Sequence, residues 1–245
     1  MRPRTCDALL LAIGFLACWQ LLYMLAGPDV VSAPLDTLLR TVALLRTEDF
    51  WRDAGSTGAA FAYACAIGVA GGLVFGLVVG LSRFAAEVAD PILGTVYSIP
   101  KITLYPIILL IFGLSPAAQI AFGVIHGIFP VAIFTMNAVR NVAPVHRRTA
   151  KALRLSPWAT IATVLAPAAI PEILSGVRIG IAVTLLGILI AELFASSSGI
   201  GYALIRATER HDVVDIFALT LLLFLFAVAI NGLLQAGERR VRRQF

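Results

Sequence analysis

Residues 102–139 read ITLYPIILLIFGLSPAAQIAFGVIHGIFPVAIFTMNAV, a run without Lys, Arg, Asp or Glu. A helix crosses the hydrocarbon core of a bilayer in about 20 apolar residues, so this run is too long for one span. Gly113-Leu114-Ser115-Pro116 divides it, because glycine and proline close together mark a turn. One span then covers 117–137. The preceding piece reaches spanning length only over about 91–113, which places Lys101 within the membrane. Outward along the chain, the uncharged intervals 8–28, 54–82 and 216–237 predict spans over about 8–28, 55–82 and 214–237. A further span over 173–195 must take in Arg178 and Glu192. Six helices in one membrane domain, 1–245, are the expected all-α architecture. Composition agrees: 60% of residues are hydrophobic and 13% charged, against roughly 25% charged in soluble domains. The mean hydropathy is +0.93.

With six spans both termini lie on one side, and the positive-inside rule says which. Arg2, Arg4, Arg83, Arg140, Arg147, Arg148, Lys151, Arg154, Arg239, Arg240, Arg242 and Arg243 share the side of the termini. Arg40, Arg46, Arg52, Arg206 and Arg210 face the other, mixed with acids. Both termini are therefore expected in the cytoplasm, with 29–53 and 196–212 outside. The net charge of +5 belongs to membrane topology and lipid headgroups, and no nucleic acid partner is expected. The first residues resemble a signal peptide, but the apolar stretch continues to Gly27, which suits a first span better.

Soluble-enzyme chemistry finds little to work with. Cys6, Cys18 and Cys65 have neither metal-ligand nor redox spacing, and His126, His146 and His211 fall on separate segments. No H-E-x-x-H is present, and neither Lys101 nor Lys151 follows a glycine, as a phosphate-binding loop requires. No catalytic residue, bound metal or cofactor is expected of this chain. Ser196-Ser197-Ser198-Gly199-Ile200-Gly201 reads as a helix-ending turn.

Three features remain. Gly68, Gly72, Gly76 and Gly80 align bare backbone along one helix face, where a neighbour can pack closely. Lys101, Arg178 and Glu192 are costly in a bilayer and are candidates for a translocation path. Glu192 follows Arg178 by about 21 Å of helix, so the two cannot pair directly, and capping or helix pairing competes as its role. Finally, the connection 138–171 reads as two short helices. Val145–Leu153 is the first, and Ser156-Pro157 opens the second with a capping serine and a proline at the first helical position. Pro167 and Pro171 are expected to close it before the fifth span.

Within that connection, Arg148-Thr149-Ala150, Arg154 and Val164-Leu165-Ala166-Pro167 resemble the signature loop of binding-protein-dependent ABC importer permeases. That loop reads E-A-A, three residues, G, nine residues, I-x-L-P. Ala150, the β-branched Val164 and Pro167 match it, whereas Arg148, Thr149, Arg154 and Ala166 depart from it. Asp90-Pro91, Ile99-Pro100-Lys101, Pro106, Gly176-Val177-Arg178-Ile179-Gly180, Ala191-Glu192 and Ser197–Tyr202 are similar to the nitrate, sulfonate and taurine branch. The resemblance implies a type I importer permease in a bacterial inner membrane, one of two copies in a homodimer. An extracytoplasmic binding protein would deliver a small solute such as a sulfonate, nitrate or other small organic anion. Two copies of an ABC ATPase would hold ATP and Mg. It also implies that Arg147, Arg148, Ala150, Lys151, Ala152, Leu153, Arg154 and Ser156 couple the chain to that ATPase. A left-handed turn at Arg154, where the family has glycine, would cost about 1 kcal/mol. The alternative is a secondary transporter, against which the lack of a visible inverted repeat counts.

Overall fold

The structure, a computed structural model, describes residues 3–142, 145, 150, 152–160, 163–164 and 166–242. The described residues are helical with short connections and contain no strand. In chain order the helices are α1 (Pro3–Ala26), α2 (Pro34–Leu44), α3 (Glu48–Gly80), α4 (Arg83–Ser98), a 3₁₀ turn (Lys101–Leu104) and α5 (Tyr105–Phe112). They continue with α6 (Pro116–Arg140), α7 (Pro157–Thr160), α8 (Ala166–Phe194), α9 (Ile200–Glu209) and α10 (Val213–Arg242). By length and apolarity α3, α6, α8 and α10 can each cross a membrane. Within α1 the apolar stretch Leu10–Ala26 is shorter.

Local chemistry explains the boundaries. Thr47 caps α3 by accepting the Phe50 N–H at 3.4 Å, and Glu48 and Asp49 occupy its first turn, where the helix dipole favours acids. Ser82 caps α4 in the same way, through the Ala85 N–H at 3.3 Å. Gly113, with φ +67°, ends α5, and Pro116 follows in the first turn of α6.

Two expectations are corrected. The third span, expected to start near 91, begins at Arg83, and it is a bent pair of helices that turns through 82° between Ser98 and Lys101. Pro100 supplies no N–H and drives Ile99 into an extended conformation, with ψ 133°. Nor do Pro167 and Pro171 close an element before the fifth span, because both lie inside α8. Pro167 falls in the first turn, where helical N–H groups have no partner to lose, and Pro171 forfeits one bond near the end.

At the centre lies α6, packed between α3 and α8. A Cβ at Gly72 would stand 2.7 Å from Val131 Cβ, and one at Gly76 would stand 2.6 Å from the Ala132 carbonyl oxygen. At Gly80 it would stand 2.9 Å from the Met136 oxygen, whereas Gly68 makes an ordinary approach of 3.7 Å. The opposite face of α6 repeats the arrangement. A Cβ at Gly180 of α8 would lie 2.9 Å from the Gly127 oxygen, and one at Gly127 would lie 3.0 Å from the Gly180 oxygen. The sequence reading singled out the α3 glycines and missed this second seam. Ion pairs tie the periphery to the frame. Arg40 of α2 makes a two-pronged pair with Asp215 of α10, and Arg140 of α6 reaches Asp90 of α4 at 3.1 Å.

Gly76→Leu should cost at least the 1–3 kcal/mol or so typical of overpacking, because the new side chain meets backbone that cannot yield. Leu73→Ala, on the half-buried side, should be milder. Thermal unfolding in detergent measures both, and equal melting temperatures would show that the seam parts freely.

Candidate functional site

The candidate residues gather at two ends of the bundle. At one meet the start of α3, the end of α8 and the start of α9. Glu192, 0% exposed, sits at their junction. Thr57 donates its hydroxyl to the carboxylate at 2.8 Å and accepts the Ile200 N–H at 2.9 Å, while the Gly201 N–H donates to Glu192 at 2.8 Å. Neighbouring contacts extend the knot: Gly199 N–H to Asp53 Oδ1 at 3.1 Å, and Ser56 with Ser198 at 2.9 Å. Gly199 adopts φ +110°, where a side chain is strained, and a Cβ there would collide with the Glu192 carboxylate. One at Gly201 would stand 2.7 Å from Glu192 Cβ. Glu192 is thus a buried cap on the N-terminus of α9, where backbone N–H groups and the helix dipole favour an anion. In this conformation no solute reaches it.

Thr57 and Asp53 were missed in the sequence, although a signal was there. Asp53, Ser56 and Thr57 stand at i, i+3 and i+4 and so share one face of α3. What they meet, the 198–200 turn, is more than 140 residues away and invisible to local spacing. Beside the knot, an outward cavity of about 240 Å³ is lined by Arg40, Arg52, Arg206, Arg210 and three aspartates. The hydrogen bonds to Asp215 hold the Arg40 guanidinium above its already high ordinary pKa.

The other two charged candidates, Arg178 and Lys101, lie elsewhere, and the three form no cluster. Arg178 Nε lies 3.4 Å from Glu238 Oε2 of α10, and Ser175 donates to the same carboxylate at 3.1 Å. This pins α8 to α10 toward the end that carries the C-terminus. Lys101 stands at the corner between α4 and α5, with Nζ donating to the Tyr97 carbonyl at 2.9 Å.

The second candidate region is the connection before α8. Val145, Ala150 and Ala152 are helical. Leu155 donates its N–H to the Ala150 carbonyl at 3.0 Å while Arg154 takes φ +48°, which is a Schellman termination with Arg154 in the position usually held by glycine. Ser156 then caps α7, its Oγ accepting the Ala159 N–H at 3.2 Å. The chain therefore keeps the left-handed turn and bears its strain. Ala152, Leu153 and Arg154 are exposed. Ala150 is not: at 2% exposure its methyl packs within its own chain, and a partner cannot dock on it. Arg147, Arg148 and Lys151 lie outside the described residues. Among the described residues no group of His, Cys, Asp and Glu is placed to hold a metal ion.

The family described as "Binding-protein-dependent transport system inner membrane component" matches residues 68–243. The putative aliphatic sulfonates transport permease protein SsuC of Bacillus subtilis (strain 168) is 28% identical over 95% of this chain and 85% of its own length. A probable ABC transporter permease protein of Haemophilus influenzae is 30% identical over 91% of each. The nitrate import permease protein NrtB of Synechococcus elongatus is 25% identical over 89% of this chain and 81% of its own. Among solved structures, a chain from an amino acid ABC transporter crystallised with histidines superposes with a TM-score of 0.64 at 21% identity. That match covers 83% of this chain and 97% of the other, and it shows the shared fold.

Thr57→Val should cost about 1–3 kcal/mol, because a buried carboxylate and a backbone N–H each lose a partner, whereas Thr57→Ser should be near neutral. Thermal unfolding in detergent that failed to separate the two would contradict the clamp. At the other end, Arg154→Gly should stabilise the turn by about 1 kcal/mol, and Arg154→Ala should not, since alanine keeps the offending Cβ. Resistance of the 150–160 region to limited proteolysis reports this difference.

Proposed function

The chain belongs to the family of binding-protein-dependent transport system inner membrane components, and from that premise we propose how it works. It is the membrane-spanning permease subunit of an ABC importer, a transport component and not an enzyme, and it works with an ATPase and a binding protein. In our reading two copies pair as a homodimer in a bacterial inner membrane with their termini in the cytoplasm. Each engages one of two ATPase chains, which hold ATP and Mg. The relatives named for sulfonates and nitrate support a small oxyanion as the solute.

One observation carries the coupling role of 145–160. A Schellman termination at Arg154 and a serine cap at Ser156, two residues apart, lead from helical Ala152 into α7 through a turn with little freedom. That gives a stiff lever, which transmits a push better than a flexible tether. Its outward residues, Ala152, Leu153 and Arg154, are the natural contacts for a groove on the ATPase. Leu153, 65% exposed, is the largest apolar group among them. The basic character of Arg154 adds a salt-dependent attraction to an acidic rim.

Leu153→Asp and Ala152→Arg should leave the permease folded and abundant while the ATPase dissociates during purification. Burying an unpaired charge in a protein groove costs several kcal/mol, enough to abolish a moderate-affinity contact. ATPase pull-down, with ATP-driven uptake of a sulfonate or nitrate scored in the same membranes, measures the effect. Normal association and uptake in both variants would remove the coupling role from this loop.

A further inference from the structure

The corner between α4 and α5 is polar where a lipid-facing segment should not be. Thr95, Ser98 and Thr103 are exposed, and each donates its hydroxyl proton to a carbonyl of its own segment: those of Pro91, Gly94 and Pro100. Lys101 stands between them. Its ammonium lies 4.3 Å from the centroid of the Tyr97 ring and 5.8 Å from that of Phe129. Phe129 is at the middle of α6, so the charge sits near the middle of the membrane by depth.

Such a corner cannot face hydrocarbon. Broken helices at membrane depth persist only where they are buried in protein or line water. A central lysine costs about 2.5–3.5 kcal/mol even on the most lenient scales. Within the chain the corner is open, since Tyr97, Ile99 and Ile102 beside Lys101 are exposed. Nor is the charge neutralised: among the described residues none of the ion pairs involves Lys101. The Tyr97 carbonyl and two ring faces stabilise the cation without cancelling its field. An ammonium has three N–H donors, and the bond to Tyr97 uses one, leaving two for the oxygens of a passing anion.

We propose that the corner from Thr95 to Thr103 lines the aqueous passage and that Lys101 is its charge selector, drawing small oxyanions through and repelling cations. The proposal rests on the importer reading and deepens it, assigning preference for anions to one residue of the permease. In a low-dielectric wall a single charge within 10 Å changes the local concentration of small ions by an order of magnitude or more.

The test needs no knowledge of the natural solute. In the assembled transporter, with Cys6, Cys18 and Cys65 replaced by alanine, Thr103→Cys is labelled with an anionic methanethiosulfonate, the ethylsulfonate, and a cationic one, the ethyltrimethylammonium. Each rate is normalised to that with a free thiol. Position 103 should react, the anionic reagent should be favoured, and the anion-to-cation rate ratio should fall at least tenfold in Lys101→Met but persist in Lys101→Arg. Retention of the ATPase on purification shows that each variant is folded. A cysteine inert to both reagents overturns the proposal by showing the corner sealed by lipid or a second copy. A reactive cysteine whose ratio ignores Lys101→Met overturns it by removing the charge role. Failure of the importer reading would appear separately, as transporter that neither retains an ATPase nor takes up solute with ATP.

Discussion

The fold depends on how closely α6 can approach two neighbours at once. In lipid, apolar side chains gain little by leaving one hydrocarbon environment for another, so helices associate through close packing and polar contacts. Glycines on α3 remove the side chains that would hold α6 away, and Gly176, Gly180 and Gly187 do the same on α8, with Gly123 and Gly127 answering from α6. Backbone meets backbone on both faces. The interlocked carbonyls and methyls leave little room for sliding, and the three helices form one frame.

What the frame holds at its ends follows from that rigidity. At the α9 end, buried Glu192 accepts from the Thr57 hydroxyl and the Gly201 N–H, so the clamp draws α3, α8 and α9 together through one carboxylate. Removing a partner is costly because a buried polar group left unpaired has no water to turn to. At the opposite end the 150–156 turn is fixed by backbone geometry, even though Arg154 makes that geometry more expensive than glycine would. The bent α4–α5 segment is joined to the frame through the Arg140–Asp90 pair, the packing of Leu93 and Ala86 against Met136, and buried Tyr105, whose hydroxyl donates to the Ala191 carbonyl at 2.8 Å.

Much of this was legible in the sequence, and the reasons are physical. Uncharged runs announce spans because burying a charge in lipid is costly, and four-residue glycine spacing announces a groove because it matches the helical repeat. Ser156-Pro157 announced a helix start for the same local reason. The failures share a cause as well. The bend at Pro100 needed the conformation of Ile99, and the inclusion of Pro171 in α8 needed packing to outweigh a local preference. The partners of Glu192 needed contacts across the whole chain. Ala150 looked like a docking residue because its motif placed it in the loop, but no motif says which side of a short helix faces home.

If α3, α6 and α8 move as one frame, locking them together should not matter to transport. A Cβ at Gly71 would lie 3.9 Å from Ile128 Cγ1 on α6, so cysteines at 71 and 128 stand close to one another across the seam. The decisive measurement is ATP-driven uptake by the assembled transporter carrying this pair, before and after oxidation, with cross-linking confirmed by thiol titration. The account predicts that oxidised and reduced protein transport at the same rate. Uptake lost on oxidation and restored by reduction would mean that α3 and α6 separate during the cycle, and the rigid frame would be wrong.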